Sequence, residues 1–184
     1  MRKSVFLLIG SLFLLLVVGG ARAADDSAYC NVAAQAFKDA VRLRQLPKKS
    51  PVSCRVQSQD QVKQYMLETI EKKMPSAKLR NEEAIFKALG FLPQEYQYKE
   101  GLINLYLSQV AGYYDPDRKW FVMAGWMPPS LQEPIAVHEL THALQDQHFD
   151  LNSFVSDDKG TSDVQLARTA AVEGDALLIQ MDFL

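Results

Sequence analysis

All three histidines of this chain lie within the eleven residues from His138 to His148, and two of them stand in the run His138-Glu139-Leu140-Thr141-His142. No other feature constrains the fold as tightly. The flanking residues, Ile135-Ala136-Val137 and Ala143-Leu144, are apolar, so a buried helix is predicted from Ser130 to about His148. Ser130 and Glu133 have the spacing of a capping box, and Pro134 falls in the first turn, where proline is tolerated. Residues four apart on a helix lie one turn above each other, so both imidazoles can reach one ion. Glu139 points to the neighbouring side, where it can take a proton from a metal-bound water without being a ligand itself. The five-residue pattern arises by chance in fewer than roughly one in a hundred chains of this length. A pair of satisfied histidines with no ion is the alternative reading.

Two histidines and a water leave a catalytic zinc one protein ligand short. His148 and Glu173 compete for that place. His148 has the metzincin spacing H-E-x-x-H-x-x-G-x-x-H, but that motif turns the chain at a glycine, and Gln145 stands there. On a helix that continues, His148 is rotated roughly 80° from His138 and cannot share its ion. Glu173 lies in Ala170-Ala171-Val172-Glu173-Gly174-Asp175-Ala176, on a helix predicted to run from Ser162 to Leu184. A carboxylate among small residues on an interior helix is costly unless it is paired or ligates something. Small neighbours also let the two helices approach closely. Glu173 is therefore the preferred third ligand.

The segment HELTHALQDQHF at 138–149, with Glu173-Gly174-Asp175-Ala176 and the earlier Gly112-Tyr113-Tyr114-Asp115, resembles the gluzincins. These zinc peptidases pair H-E-x-x-H with a Glu from a following helix. Within them the chain is most similar to a group of little-characterised exported bacterial metallopeptidases. The resemblance covers roughly residues 98–184. It implies a zincin-like core, Zn2+ as cofactor, His138, His142 and Glu173 as ligands, and Glu139 as general base. In one respect the chain departs from the pattern: gluzincins often carry an acid four residues after the ligand Glu, and here that position is Leu177. Asp146 or Asp175 is then the candidate carboxylate for orienting a ligand histidine.

The expected activity is zinc-dependent hydrolysis of a peptide or protein substrate. Two other readings stay open. One is metal-dependent hydrolysis of other esters or amides. The other is a non-catalytic, zinc-stabilised binding domain of a truncated peptidase, because the chain stops at Leu184 on an apolar helical run without a cap or polar tail.

The N-terminus bears on compartment. Arg2 and Lys3 precede an apolar stretch over 5–18, Gly19-Gly20 breaks it, and Ala21-Arg22-Ala23 is a small-x-small cleavage pattern. At about 14 residues the stretch is short of the roughly 20 a spanning helix needs. Residues 1–23 are therefore expected to be a signal peptide cleaved before Ala24. That makes the mature chain an exported protein, periplasmic or secreted, with no stable membrane anchor; a retained anchor is the rival. Losing Arg2, Lys3 and Arg22 takes the formal charge from −2 to −5, which gives no electrostatic reason to bind nucleic acid. In an oxidising compartment Cys30 and Cys54 are expected to form a disulfide closing a loop of about 24 residues. Two unpaired thiols are the alternative.

The expected fold class is α+β and mostly helical. An N-terminal helical subdomain is expected over 24–97: a helix over 31–45, a second opened by a Ser58/Gln61 capping box and stopped at Pro75, and a third closed by Gly90. The catalytic core is placed over 98–184, with a short helix over 102–107. Strands over 109–114 and 119–124 are expected to form a hairpin around Asp115-Pro116-Asp117-Arg118. Its first strand is a candidate edge for an extended peptide. Tyr113 or Tyr114 is a candidate donor to a tetrahedral intermediate, with core packing as the alternative. Asp146 is a candidate acceptor for the free ring N–H of His142. His148 is expected to cap the helix C-terminus, or else to contact substrate.

Overall fold

The computed structural model describes residues 26–73, 76–155 and 161–184. The expected signal peptide and the helix stop at Pro75 lie outside them. The described chain is α+β and mostly helical, in the order α1 (Asp26–Arg44), β1 (Ser53–Gln57), α2 (Gln59–Lys73), α3 (Ser76–Ala88), α4 (Tyr98–Gln109), β2 (Gly112–Asp115), β3 (Trp120–Ala124), α5 (Pro129–Phe149), α6 (Leu151–Phe154) and α7 (Ser162–Phe183).

The expected hairpin is present. β2 and β3 pair antiparallel, with Tyr114 opposite Phe121. The Asp115 carboxylate closes the turn by accepting from the Asp117 and Arg118 N–H groups at 2.9 and 3.1 Å. The helix before it reaches Gln109, so the first strand is shorter than expected. Gly112 allows its close approach to the centre of the molecule: a Cβ there would meet the Val122 carbonyl oxygen at 2.9 Å and the Ile135 side chain at 3.2 Å.

β3 lies in the middle of the sheet, between β1 and β2. Phe121, Val122, Met123 and Ala124 are all buried, an uninterrupted apolar run of the kind a strand covered on both faces requires. Alternation sends the two tyrosines of β2 to opposite faces. Tyr114 joins the main core with α1, α5 and α7. Tyr113 stacks on Tyr65 of α2, with ring centroids 4.5 Å apart. The main core sets Ala33, Ala36 and Ala40 of α1 beside Ala136, Val137, Leu140 and Ala143 of α5. The alanines among them let the two helices lie close together. A smaller cluster of Ile70, Leu79 and Ile103 joins α2, α3 and α4.

Two expectations are corrected. The segment before residue 98 is not purely helical, because Ser53–Gln57 forms β1 and pairs in parallel with Trp120–Ala124. α1 and β1 thereby belong to the same core as α5. The strand is five residues long and carries Arg55 and Gln57, so its local pattern is weak and its existence depends on a partner far along the chain. The second correction concerns α5, which starts at Pro129 with no side-chain cap. A proline at the first helical position has the required φ and no N–H to satisfy, so Ser130 already lies inside the first turn. The Ser58/Gln61 capping box does form, with the Ser58 N–H donating to Gln61 Oε1 at 2.8 Å. Gly90, with φ +77°, follows the end of α3 as expected.

Cys30 and Cys54 are joined in a disulfide that ties α1 to β1. A covalent link of this kind is compatible with an exported protein, and no described helix is long and apolar enough to cross a membrane. Replacing both cysteines with alanine is expected to lower stability by about 3 kcal/mol, from the chain entropy released by a loop of this size. The loss would be read as a lower urea midpoint. An unchanged midpoint would mean that the loop is already held by packing.

Candidate metal centre

α5 carries His138, Glu139 and His142, and α7 lies against it bearing Glu173. The Nε2 atoms of His138 and His142 are 3.2 Å apart. Each is 3.4 Å from Glu173 Oε2. A tetrahedral zinc with nitrogen and oxygen ligands at about 2.0–2.1 Å places its ligand atoms about 3.3–3.4 Å from one another. The three side chains thus stand at the separations one ion imposes, and the group could hold a metal ion. Its chemistry agrees with its geometry: two ring nitrogens and a carboxylate oxygen are a donor set that suits a divalent cation such as zinc.

Electrostatics describe the same convergence. The two imidazoles of His138 and His142 beside it hold the Glu173 carboxyl well below the usual carboxylate range. At His142 burial disfavours the charged ring, but Glu173, Glu139 and Gln145 outweigh it and raise the pKa. Glu139 is not one of the three converging ligands. Its Oε2 accepts from the Tyr114 N–H at 2.9 Å, so β2 holds the carboxylate beside the centre. Burial raises its pKa against the opposing effects of both histidines and the Tyr114 N–H.

The other candidate residues are distributed differently. His148 does not join the ligands; its Nε2–H donates to the Pro47 carbonyl at 2.8 Å, tying the end of α5 to the segment after α1. Asp146 does not accept from His142. It is buried, and its oxygens accept from the Lys119 ammonium at 2.6 Å, the Tyr114 hydroxyl at 2.7 Å and the Leu151 N–H at 3.2 Å. One charged donor and two further donors thus occupy this carboxylate with partners other than His142. Tyr114 therefore has its hydroxyl committed to Asp146, and Tyr113 donates to Gln57 Oε1 at 2.9 Å. Neither of these hydrogen bonds involves His138, His142 or Glu173. Tyr114→Phe is expected to cost about 1.5–3 kcal/mol, the range for a hydrogen bond to a charged group, and to leave metal content unchanged. Loss of metal in that variant would place the hydroxyl closer to the chemistry than its bond to Asp146 indicates.

Gln145, where the metzincin pattern has glycine, holds a position that the sequence motifs do not assign. Its Oε1 lies 2.8 Å from His142 Nδ1, the contact expected of an orienting carboxylate. Asp175 is linked to His142 through it, accepting from Gln145 Nε2 and Arg44 Nε, each at 2.8 Å. The available signal was spacing, since three residues along a helix also face each other. On the other histidine, Nδ1 of His138 is buried and has no hydrogen-bond partner among the described residues. A cavity of about 460 Å³ lies beside the disulfide, lined by Cys30, Phe37, Val41, Cys54 and Leu140 among others.

No known family model matches this chain, and no curated protein or solved structure matches it either.

Proposed function

We propose that this chain is an exported zinc metallopeptidase with a zincin-like core, in which His138, His142 and Glu173 hold the ion and Glu139 is the general base. The observation that carries the reading is the convergence of three ligand atoms at 3.2–3.4 Å with a carboxylate beside them that is not a ligand. When bound, zinc supplies a nucleophile by lowering the pKa of water towards about 7 and a Lewis acid that polarises the scissile carbonyl. Glu139, oriented by the Tyr114 N–H, takes the proton of the attacking water and gives it to the leaving amine. β2 is an edge strand of the sheet next to this carboxylate, the kind of element to which an extended peptide can add.

A second reading is favoured by one observation. Leu166, Leu177, Leu178 and Met181 of α7 are all at least half exposed, an apolar surface that suits a zinc-stabilised binding domain. Zinc per purified chain, measured beside digestion of a peptide library, separates the two. About one zinc with peptide cleavage supports the peptidase. Zinc without hydrolysis of peptides or simple esters moves the reading to the binding domain, and no zinc after reconstitution ends both.

A further inference from the structure

We propose that Gln145 is the positioning residue of this centre, fixing the tautomer of His142 and tying the helix that bears Glu173 to the helix that bears both histidines. The inference rests on the ligand set proposed above and adds a role that the H-E-x-x-H pattern does not contain.

A glutamine amide has an acceptor end and a donor end, and its neighbours decide which end faces which. Gln145 is buried, with 3% of its surface exposed. On one side its amide meets the Val172 carbonyl at 3.0 Å and Asp175 Oδ2 at 2.8 Å. Both are acceptors, so the NH2 group must face them. The reverse orientation would set the amide oxygen against a carbonyl and a carboxylate in a buried place and leave both contacts without a proton. Asp175 is kept in its role from the other side, because it also accepts from Arg44 Nε at 2.8 Å. Guanidinium is always a donor and never an acceptor.

Gln145 Oε1 is therefore the end that lies 2.8 Å from His142 Nδ1. An amide oxygen can only accept, so Nδ1 must carry the hydrogen. In the neutral ring this leaves Nε2 as a lone pair, directed at His138 Nε2 and Glu173 Oε2. That is the form a metal ligand needs, set by the protein before any ion arrives. The same NH2 group holds the backbone carbonyl of Val172, one residue before Glu173. One side chain thus governs the proton position on one ligand and the placement of another. The relay from Arg44 through Asp175 also carries the end of α1 into the centre, so an element remote from the motif in sequence sets its polarity.

The test starts with the parent protein stripped of metal, labelled with nitrogen-15 and held at alkaline pH. Long-range proton–nitrogen correlation should show His142 in the Nδ1–H tautomer; a dominant Nε2–H tautomer there overturns the proposal, with no variant needed. In Gln145→Met, which keeps side-chain length but has neither acceptor nor donor, the His142 tautomer is expected to become mixed. Zinc affinity, measured by competition with a chromophoric chelator, is expected to fall about 10- to 100-fold, the usual cost of losing an outer partner of a ligand histidine. Gln145→Glu keeps the acceptor towards His142 and should restore the Nδ1–H tautomer, although it places a second carboxylate beside Asp175. A merely structural role predicts the opposite order, with the buried charge the more disruptive. A Met variant with parental tautomer and parental zinc affinity overturns the inference. Failure of the parent itself to bind zinc would count against the peptidase reading, while the tautomer in the metal-free protein would still decide the role of Gln145.

Discussion

Glu139→Gln is expected to keep the full zinc content of the parent and to lose peptide hydrolysis by roughly 10²- to 10⁴-fold, the range that a positioned general base contributes. The separation of the two readouts follows from the geometry. Glu139 is outside the group of three ligand atoms, so changing its carboxylate to an amide removes no donor from the ion. The amide oxygen can still accept from the Tyr114 N–H, now made at 2.9 Å, so the side chain should stay in place. What disappears is the capacity to take a proton from water. Zinc by elemental analysis and cleavage of a library-derived peptide, measured on the same preparation, check the expectation. Undiminished cleavage would sink the proposed chemistry, and loss of zinc would mean that Glu139 is itself a ligand.

Glu173→Ala is expected to lose zinc affinity by more than about 100-fold, exceeding what an outer partner of a ligand costs, while His148→Ala retains the ion. The two variants separate the candidates for third ligand that spacing alone leaves in competition. Glu173 Oε2 is 3.4 Å from both imidazole Nε2 atoms, so its removal leaves two neutral nitrogens and no charged ligand for the ion. His148 instead spends its ring N–H on Pro47, a single hydrogen bond worth about 1 kcal/mol of stability. Zinc-binding titrations of both variants give the answer directly. Retention in Glu173→Ala with loss in His148→Ala would reverse the assignment.

The sequence was informative where the signal is local. Two histidines four apart in an apolar helical run place two imidazoles on one helix face whatever surrounds them, because the helical repeat alone does so. The Ser58/Gln61 capping box, the Asp115 turn and the Gly90 stop are likewise decided by a few adjacent residues. The boundary of α5 escaped the same kind of reading because two local signals competed, and Pro129 prevailed over the Ser130 capping pattern.

The orienting partner of His142 depends on packing rather than on local pattern. Asp146 and Gln145 are both within one turn of that ring, so spacing alone does not choose between them. Lys119 and Tyr114, brought over by the hairpin, draw Asp146 away, and α7 brings the acceptors that turn the Gln145 amide oxygen to His142. β1 follows the same rule: Cys54 to Gln57 has little strand character of its own and is ordered by pairing with β3 and by the link to Cys30.

By itself, then, the amino-acid order determined a buried helix presenting His138, Glu139 and His142, a hairpin before it and a small-residue helix carrying Glu173 after it. The tertiary structure alone decided that Glu173 meets the two imidazoles, that the Tyr114 N–H holds Glu139, and that Arg44, Asp175 and Gln145 reach His142 in a line. The division has one physical cause. Helical and turn preferences are properties of neighbouring residues, whereas a ligand set and its hydrogen-bonded supports are distances between elements, settled only when the side chains of α1, α5 and α7 pack into one core.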